Sequence, residues 1–183
     1  MLTVLLDEMP LIQAALKDSE AFSVLYERYR QQLYRYVLAR VGNVEDAEDI
    51  TAQTFLVAMQ DMGRYRPERP FIAWLLGIAR HKIADHFRRR RPEIGWETVK
   101  WLAEGSDALD EQVGCQLDME KVACGLRRLS PDRTEALALR LFGGLETAEI
   151  AQVMGRHETA VRMLIFRGLR DLREQFAANS RLI

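Results

Sequence analysis

The residues with the clearest chemistry form a basic block at positions 64–91, in which aromatic rings alternate with arginines. The block holds nine basic and two acidic side chains, a net charge of +7. Lysine and arginine neutralise phosphates, and aromatic rings stack on extruded bases. The pattern therefore predicts a nucleic-acid surface. Its candidate contacts are Arg64, Tyr65, Arg66, Arg69, Trp74, Arg80, His81, Lys82, Arg88, Arg89 and Arg90.

The aromatic residues of this block permit a second interpretation. Phe71, Trp74 and Phe87 recur at helical spacing, which is typical of side chains that pack on one buried face. We therefore expect most of these rings to belong to a hydrophobic core rather than to a stacking surface. The arginine run at 88–91 still favours phosphate binding.

A second set of residues has the spacing of a helix–turn–helix motif. Ala151, Gly155 and Val161 lie four and then six residues apart. They would supply a small residue at the helix crossing, a left-handed turn and a branched apolar contact. A plain helical hairpin is the simpler alternative. If the motif forms, the second helix enters the major groove. Its candidate DNA contacts are His157, Glu158, Thr159, Arg162 and Arg167.

Catalytic and metal-binding patterns are weak. His81 and Asp85 lie one helical turn apart, but a third ligand at a sensible spacing is missing. Nucleophile motifs and phosphate-cradling glycine loops are not found. Cys115 and Cys124 are most simply two unpaired thiols. We predict no catalytic residue, no metal and no cofactor.

Helical periodicity dominates the chain and predicts an all-α fold of two small helical domains joined by an acidic linker. Gly42 is expected to end one helix and Asn43 to cap the next. Pro70 is expected in the first turn of a third helix, and Ser130 before Pro131 is expected to cap a later one. The predicted helices cover about 20–40, 44–61, 70–91, 131–142, 147–153 and 158–175.

Charge is distributed in blocks that cancel in the total. The 183 residues carry a formal net charge of −1, but residues 1–63 carry −5, residues 92–120 carry −7 and residues 121–176 carry +3. Blocks of this kind indicate partners rather than a fold. Apolar runs are too short to span a bilayer, and residues 1–16 lack a basic segment that would begin a secretory signal. We therefore expect a cytoplasmic protein.

Four segments of the chain resemble bacterial RNA polymerase sigma factors of the extracytoplasmic-function (group 4) type, which keep regions 2 and 4 of the sigma-70 family. In the first half they read AFSVLYERYRQQLYRYV, DAEDITAQTFLVAM and FIAWLLGIARHKIADHFRRRR. In the second half the segment reads LSPDRTEALALRLFGGLETAEIAQVMGRHETAVRMLIFRGLRDLRE. The order and separation of these segments carry the resemblance.

The resemblance implies a role for each part of the chain. Residues 1–92 would be region 2, residues 93–120 an acidic linker and residues 121–183 region 4. Region 2 would bind core polymerase and recognise and melt the −10 promoter element, while region 4 would read the −35 element. The polymerase contacts, on the clamp helices of the largest subunit, would be Asp46, Glu48, Asp49, Gln53 and Phe55.

The chain departs from the family pattern at three places. Relatives commonly have Gln-Glu where this chain has Ala52-Gln53, and often carry Asn at the position of His81. Relatives usually show a Ser-Arg pair where this chain has Met163-Leu164. Arg162 is then the main basic contact of the helix start, and Met163 and Phe166 are candidates for contact with another protein.

The resemblance thus predicts a transcription initiation factor that binds RNA polymerase core and promoter DNA, with a cognate anti-sigma factor as a further partner. Within the polymerase, the expected contacts also include the flap of the second-largest subunit. The acidic linker would lie near the polymerase cleft and mimic a nucleic-acid strand. Two other functions stay open on the residues alone: a stand-alone helix–turn–helix regulator and a helical protein–protein adaptor.

Overall fold

The computed structural model describes residues 2–90 and 118–179, and within these ranges the secondary structure is helical without strands. The all-α prediction is confirmed. The predicted linker falls almost wholly outside the described residues. The helices are α1 (Leu2–Ala15), α2 (Ser19–Val41), α3 (Val44–Gln60), a 3-10 turn (Met62–Arg64), α4 (Phe71–Arg90), α5 (Asp118–Arg127), α6 (Pro131–Leu141), α7 (Thr147–Met154) and α8 (Glu158–Asn179).

The junction of α2 and α3 forms as the sequence predicts. Gly42 adopts φ +77° and its N–H donates to the Leu38 carbonyl, which ends α2. The Asn43 side chain then accepts a hydrogen bond of 2.9 Å from the Asp46 N–H at the start of α3. Two short-range signals thus set a sharp turn between adjacent helices.

Two other helix starts differ in detail from the prediction. Pro70 lies just before α4, where its carbonyl accepts hydrogen bonds from Ala73 and Trp74. A proline contributes a carbonyl but no N–H, so this position suits it as well as the first turn does. Ser130 precedes Pro131 at the start of α6, yet its side chain forms no capping hydrogen bond.

Helix α1 has no counterpart among the predicted helices. It contains Pro10, a residue that disfavours helix interiors, and it packs along α2. Ile12 is buried, and the buried carboxylate of Glu8 accepts a hydrogen bond from the Tyr29 hydroxyl. Burial raises the pKa of Glu8, with the Phe71 amide and the Arg28 charge opposing the shift.

The two halves of the described structure share one hydrophobic core. Helix α2 packs on α5 and α6, and α4 packs on α7. Leu33 and Leu76 from the first half are buried in the same cluster as Leu126 and Leu139 from the second. The division into domains at 1–92 and 121–183 stays a prediction, since the helices of both halves are in contact.

Candidate nucleic-acid and protein interfaces

Helices α7 and α8 form the helix–turn–helix that the spacing predicts. Gly155 follows α7 with φ +63° and ψ +38°, in the left-handed region that glycine adopts without strain. Its N–H donates to the Gln152 carbonyl, and the Arg156 N–H donates to Ala151. Ala151 and Val161 are both buried at the crossing. All three residues therefore do what the motif requires.

Arg156 occupies the position after the glycine where the motif usually has an apolar residue. Its guanidinium donates a hydrogen bond of 2.7 Å to the carboxylate of Asp132, in the first turn of α6. Both side chains are about half exposed to solvent. The turn thus contacts α6 through an ion pair instead of an apolar contact, which explains the departure.

The outer face of α8 combines arginines with large apolar side chains. Val161, Gly168 and Leu172 face the core, so the opposite side of the helix is exposed. Met163 is 44% exposed and Phe166 is 63% exposed on this side. The predicted DNA contacts of the helix–turn–helix are also exposed: His157, Glu158, Thr159, Arg162 and Arg167. Arg162 lies 2.9 Å from the Glu158 carboxylate, one turn earlier.

The aromatic side chains of the basic block form a cluster below the loop that joins the 3-10 turn to α4. Tyr65 and Phe71 are buried, and their ring centroids are 5.5 Å apart. Trp74 packs against both rings at 5.4 and 5.5 Å. The Tyr65 hydroxyl donates a hydrogen bond of 2.6 Å to the Arg69 carbonyl. Burial, with the charge of Glu8, raises the pKa of Tyr65 to about 12.

This arrangement confirms the expectation that most of these rings are core. The structure places Tyr65 where it shapes the loop rather than where a base could stack on its face. Trp74 is partly buried, and Phe87 is the one ring of the block's described part that is well exposed.

The basic side chains of the block differ in their exposure. Arg64, Arg66, Arg88 and Arg89 are exposed, and Lys82 and Arg69 are half-buried. Arg64 and Arg88 each form an exposed ion pair three residues back along the chain, with Asp61 at 3.1 Å and Asp85 at 3.0 Å. His81 is exposed, with Nδ1 2.7 Å from the Gly77 carbonyl. The side chain of Arg90 lies outside the described part.

Arg80 differs from the other basic residues because it faces the second half of the molecule. Its guanidinium donates a hydrogen bond of 3.3 Å to the Val153 carbonyl at the end of α7. Its Nε also lies 4.0 Å from the buried carboxylate of Glu135 on α6. Arg80 thus links α4 to the helix–turn–helix in this structure.

The predicted polymerase contacts on α3 fall on two sides of the helix. Glu48, Asp49 and Gln53 are exposed and Asp46 is half-buried. Phe55 is buried, with its ring edge-on to Phe22 and Tyr26 at centroid distances of 6.5 and 4.7 Å. The acidic residues can therefore meet a partner, whereas Phe55 holds α3 against α2.

A cleft between α3 and α4 brings the two predicted surfaces together. Its acidic wall consists of Asp46 and Asp49, and its other wall includes Lys82, His86 and Arg89. His86 Nε2 lies 3.6 Å from the Asp46 carboxylate. The acidic and basic segments are separate in the sequence, and helix periodicity alone does not reveal that they share a cleft.

Glu135 is a buried carboxylate at the contact between the two halves, and it is absent from the residues predicted from the sequence. One of its oxygens accepts a hydrogen bond of 2.7 Å from the Tyr36 hydroxyl, and the other forms an ion pair with the Arg40 guanidinium at 2.9 Å. Gln32 adds a 2.8 Å hydrogen bond to the Gly143 carbonyl. A glutamate directly before the apolar run at 136–139 of α6 was the only sequence signal for this site.

Two negative results hold for residues 2–90 and 118–179. No group of three or more histidine, cysteine or acidic side chains is placed to hold a metal ion there. His81 and Asp85 gain no third ligand in that part of the chain. Over the same ranges, none of the helices is long and apolar enough to cross a membrane.

Comparisons with known proteins match both halves of the chain. The model of Sigma-70 region 2 matches residues 25–93, and that of Sigma-70 region 4 matches residues 119–172. The ECF RNA polymerase sigma factor SigD of Mycobacterium tuberculosis is 34% identical over 176 residues, which cover 91% of this chain and 82% of SigD.

A second relative and one solved structure extend the comparison. The ECF RNA polymerase sigma factor BldN of Streptomyces coelicolor is 37% identical over 158 residues, which cover 85% of this chain. The matched part is 60% of BldN, so the chain spans less than two thirds of that protein. The structure of CnrH in complex with the cytosolic domain of CnrY superposes with a TM-score of 0.71 at 26% identity, covering 94% of this chain and 97% of CnrH.

Proposed function

Because the chain belongs to the ECF sigma factors of the sigma-70 family, we propose that it directs RNA polymerase core to promoters through three surfaces. Residues 1–92 form a domain with two of these surfaces, one for core polymerase and one for the −10 element. Residues 93–120 form the acidic linker, and residues 121–183 form the domain with the −35 surface. The observation that carries the proposal is the helix–turn–helix of α7 and α8. The outer face of α8 points away from the hydrophobic core of the protein and carries exposed arginines.

Core polymerase binds the acidic face of α3. Asp49 and Gln53 are exposed on this face, and Asp46 lies beside them in the cleft. Glu48 is exposed farther around the helix. Phe55 is buried in the hydrophobic core of the protein, where it supports the position of α3. An acidic surface suits a basic clamp helix, because complementary charge steers association and fixes register.

The −10 element binds along the loop and outer face of α4. Arg64, Arg66 and Arg69 surround the loop, while His81, Lys82 and Arg88 to Arg90 follow along the helix. These side chains neutralise phosphates as the strands separate. The Tyr65–Trp74 cluster holds the loop in place, and base stacking falls to the exposed parts of Trp74 and Phe87.

Arg80 is a −10 contact whose guanidinium is partly engaged between the two halves. In the arrangement described here it is bound to Val153 and lies near Glu135. Opening of the contact between α4 and α7 releases the whole guanidinium for a phosphate. This supports a sequence of events in which polymerase binding and opening of the halves precede promoter recognition.

The −35 element binds the first turns of α8. His157, Glu158, Thr159 and Arg162 are exposed at the helix start, and Arg167 lies further along. The second helix of such a motif lies in the major groove with its N-terminal residues at the base edges. No residue in any of the three surfaces is proposed to catalyse a reaction.

A cognate anti-sigma protein is a further partner. The solved relative CnrH is described in complex with the cytosolic domain of CnrY, and its fold covers nearly all of this chain. The exposed apolar side chains of the two halves, including Leu56 and Met59 on α3, are available to such a partner. The flap of the second-largest polymerase subunit would meet residues 121–183 in the active complex.

The test is run-off transcription with purified core polymerase on a library of promoter fragments. We expect promoter-specific transcripts that depend on both the added chain and core polymerase. A chain that binds duplex DNA but neither binds core nor yields transcripts would instead be a stand-alone regulator. A chain that binds proteins but neither DNA nor core would be an adaptor.

The surface assignments are tested separately by charge changes. Arg162→Gln should weaken transcription from −35-dependent promoters, because one major-groove contact is worth about 1–3 kcal/mol. Arg128→Gln is the matched control, since Arg128 is an exposed arginine on the same half outside α7 and α8. An equal loss in both variants would show that general charge, not the recognition helix, sets promoter binding.

A further inference from the structure

The first turns of α8 present an apolar ridge to solvent. Thr159, Met163 and Phe166 are spaced four and three residues apart, so they lie on one helix face. This face is opposite Val161 and Gly168, which are buried. Phe166 is more exposed than any other large apolar side chain in the described part of the chain.

Arginines border this ridge on both sides. Arg162 and Arg173 flank it on one side and Arg167 on the other, while Arg170 lies one turn after Phe166 on the same face, and all four are exposed. Glu158 is paired with Arg162, and Glu174 lies 3.8 Å from Arg170. The face therefore has an apolar centre with a cationic border. Its complement is an anionic surface with apolar groups along its middle.

The major groove of DNA has this composition. Phosphates line its two edges, and each thymine projects a 5-methyl group into the groove that apolar side chains contact. From Thr159 to Phe166 the helix advances about 11 Å, close to the width of the major groove of about 12 Å. The ridge also lies on the first turns of the second helix of the motif, which are the turns that enter the groove.

We propose that Met163 and Phe166 read thymine 5-methyl groups in the −35 element, while the bordering Arg167 and Arg173 bind the flanking phosphates and Arg162 keeps its proposed contact in the major groove. The proposal rests on the proposed −35 function of α8 and assigns it a specificity. It also gives a role to the residues that stand at and after the position of the family's Ser-Arg pair. Methyl contacts replace part of the hydrogen-bonded base reading that a second arginine would provide.

The test first obtains a working −35 element from the transcription library and then replaces its thymines one at a time by deoxyuridine, which lacks only the methyl group. With holoenzyme containing the unchanged chain, we expect one or two positions at which deoxyuridine weakens promoter binding about 3- to 5-fold, the scale of one buried methyl group. The ratio of thymine to uridine binding should fall to about one in Phe166→Ala or Met163→Ala.

Leu169→Ala is the matched control, because Leu169 is an exposed apolar residue of α8 off the ridge, with 37% exposure. It should keep the full preference for thymine. Thermal unfolding of each variant checks folding, which the exposed positions of Met163 and Phe166 should leave intact. A second measurement places 5-methylcytosine at the sensitive positions of a cytosine-substituted promoter, where it should restore binding.

The possible outcomes distinguish failure of the thymine proposal from failure of the proposed function. Without promoter-specific transcripts, the proposed function itself fails. If transcripts form but every deoxyuridine promoter binds the unchanged chain as well as its thymine parent, the thymine proposal is overturned. If Phe166→Ala weakens core binding while the thymine preference is unchanged, the ridge binds a protein and the proposal is likewise overturned.

Discussion

Tyr36 on α2 donates a hydrogen bond of 2.7 Å to Oε1 of Glu135 on α6, a residue 99 positions further along the chain. Both side chains are buried, and Arg40 binds the second carboxylate oxygen at 2.9 Å. Burial, reinforced by the Glu135 charge, raises the pKa of Tyr36 well above its ordinary value, so the hydroxyl stays a donor. A buried carboxylate is costly unless its partners are in place. Glu135 therefore makes the contact between the halves specific.

Tyr36→Phe should destabilise the protein by about 1–3 kcal/mol, because it leaves a buried acceptor without its donor. Urea unfolding monitored by circular dichroism measures the change. Tyr34→Phe is the control: Tyr34 is a half-buried tyrosine two residues away on the same helix. Equal stability of the two variants would contradict the assigned role of the Tyr36 hydroxyl.

Glu135→Ala should be more damaging, with a loss of about 3–5 kcal/mol, because removing one member of a buried ion pair leaves Arg40 uncompensated. The exposed pair of Glu27 with Arg30, at 2.8 Å, provides the comparison. Glu27→Ala should cost only about 0–1 kcal/mol. Similar losses in the free energy of unfolding for the two variants would disprove the difference between the buried and the exposed ion pair.

Stability should fall with rising pH because of Glu8. The pKa of Glu8 is raised above 4.5 in the folded chain. The folded state thus keeps the proton to higher pH than the unfolded state does. This contribution is fully present below about pH 4.5 and is lost as pH rises through the folded pKa.

Glu8→Gln removes that ionisation while keeping an acceptor for Tyr29. The variant should gain stability over the parent as pH rises from 4 to 7, measured by urea unfolding at each pH. Glu174→Gln, on the exposed surface of α8, controls for the loss of one charge. A constant difference between Glu8→Gln and the parent at all pH values would refute the prediction.

Gly143 should tolerate alanine less well than Gly155, although only Gly155 has a positive φ. A Cβ on Gly143 would lie 2.5 Å from the Leu139 carbonyl oxygen and 2.8 Å from Leu76 Cδ1, on the other half. Overpacking of this kind costs about 1–3 kcal/mol or more. At Gly155 no atom lies within 4 Å of the added Cβ, so only the backbone strain of about 1–2 kcal/mol applies.

Gly77→Ala is the control for this pair, because Gly77 lies in α4 with open space around its Cβ position and no positive φ. It should stabilise the protein by about 0.4–1 kcal/mol by limiting the unfolded chain. Differential scanning calorimetry ranks the three variants. A Gly143→Ala variant as stable as Gly77→Ala would show that the contact with Leu76 is loose.

Asp49→Arg should weaken binding to core polymerase about tenfold or more, because it places like charges together at a docking surface. Glu27→Arg makes the same charge change on the exposed surface of α2 and should leave core binding unchanged. Titration of labelled core polymerase measures both affinities. A loss of the same size in the control would assign the effect to net charge rather than to the α3 face.

Helix positions were largely predictable because their signals are local. The Gly42–Asn43 junction depends on one left-handed residue and one side-chain cap, both within four residues of their partners. The helix–turn–helix spacing of Ala151, Gly155 and Val161 is local in the same sense. Helix α1 was missed because its stability comes from packing along α2 and not from its own sequence pattern, which includes Pro10.

Roles within the candidate surfaces were harder to separate. Tyr65 and Phe55 were predicted as contacts, yet both are buried. Aromatic residues at helical spacing suit a core and a binding surface equally well, and only the neighbouring helices decide which face is covered. The cleft where Asp46 meets His86 follows from the packing of α3 on α4 and has no signature in either helix alone.

The sequence by itself determined the all-helical class, the main helix boundaries, the turn at Gly155 and the alternation of charge that indicates partners. These depend on hydrogen bonds and side-chain spacings within a few residues. Only the tertiary structure decided that Glu135 joins Tyr36 and Arg40, that Arg80 faces α7 and that Phe166 stays exposed. Such contacts link positions tens of residues apart, so they are set by which helix faces pack together.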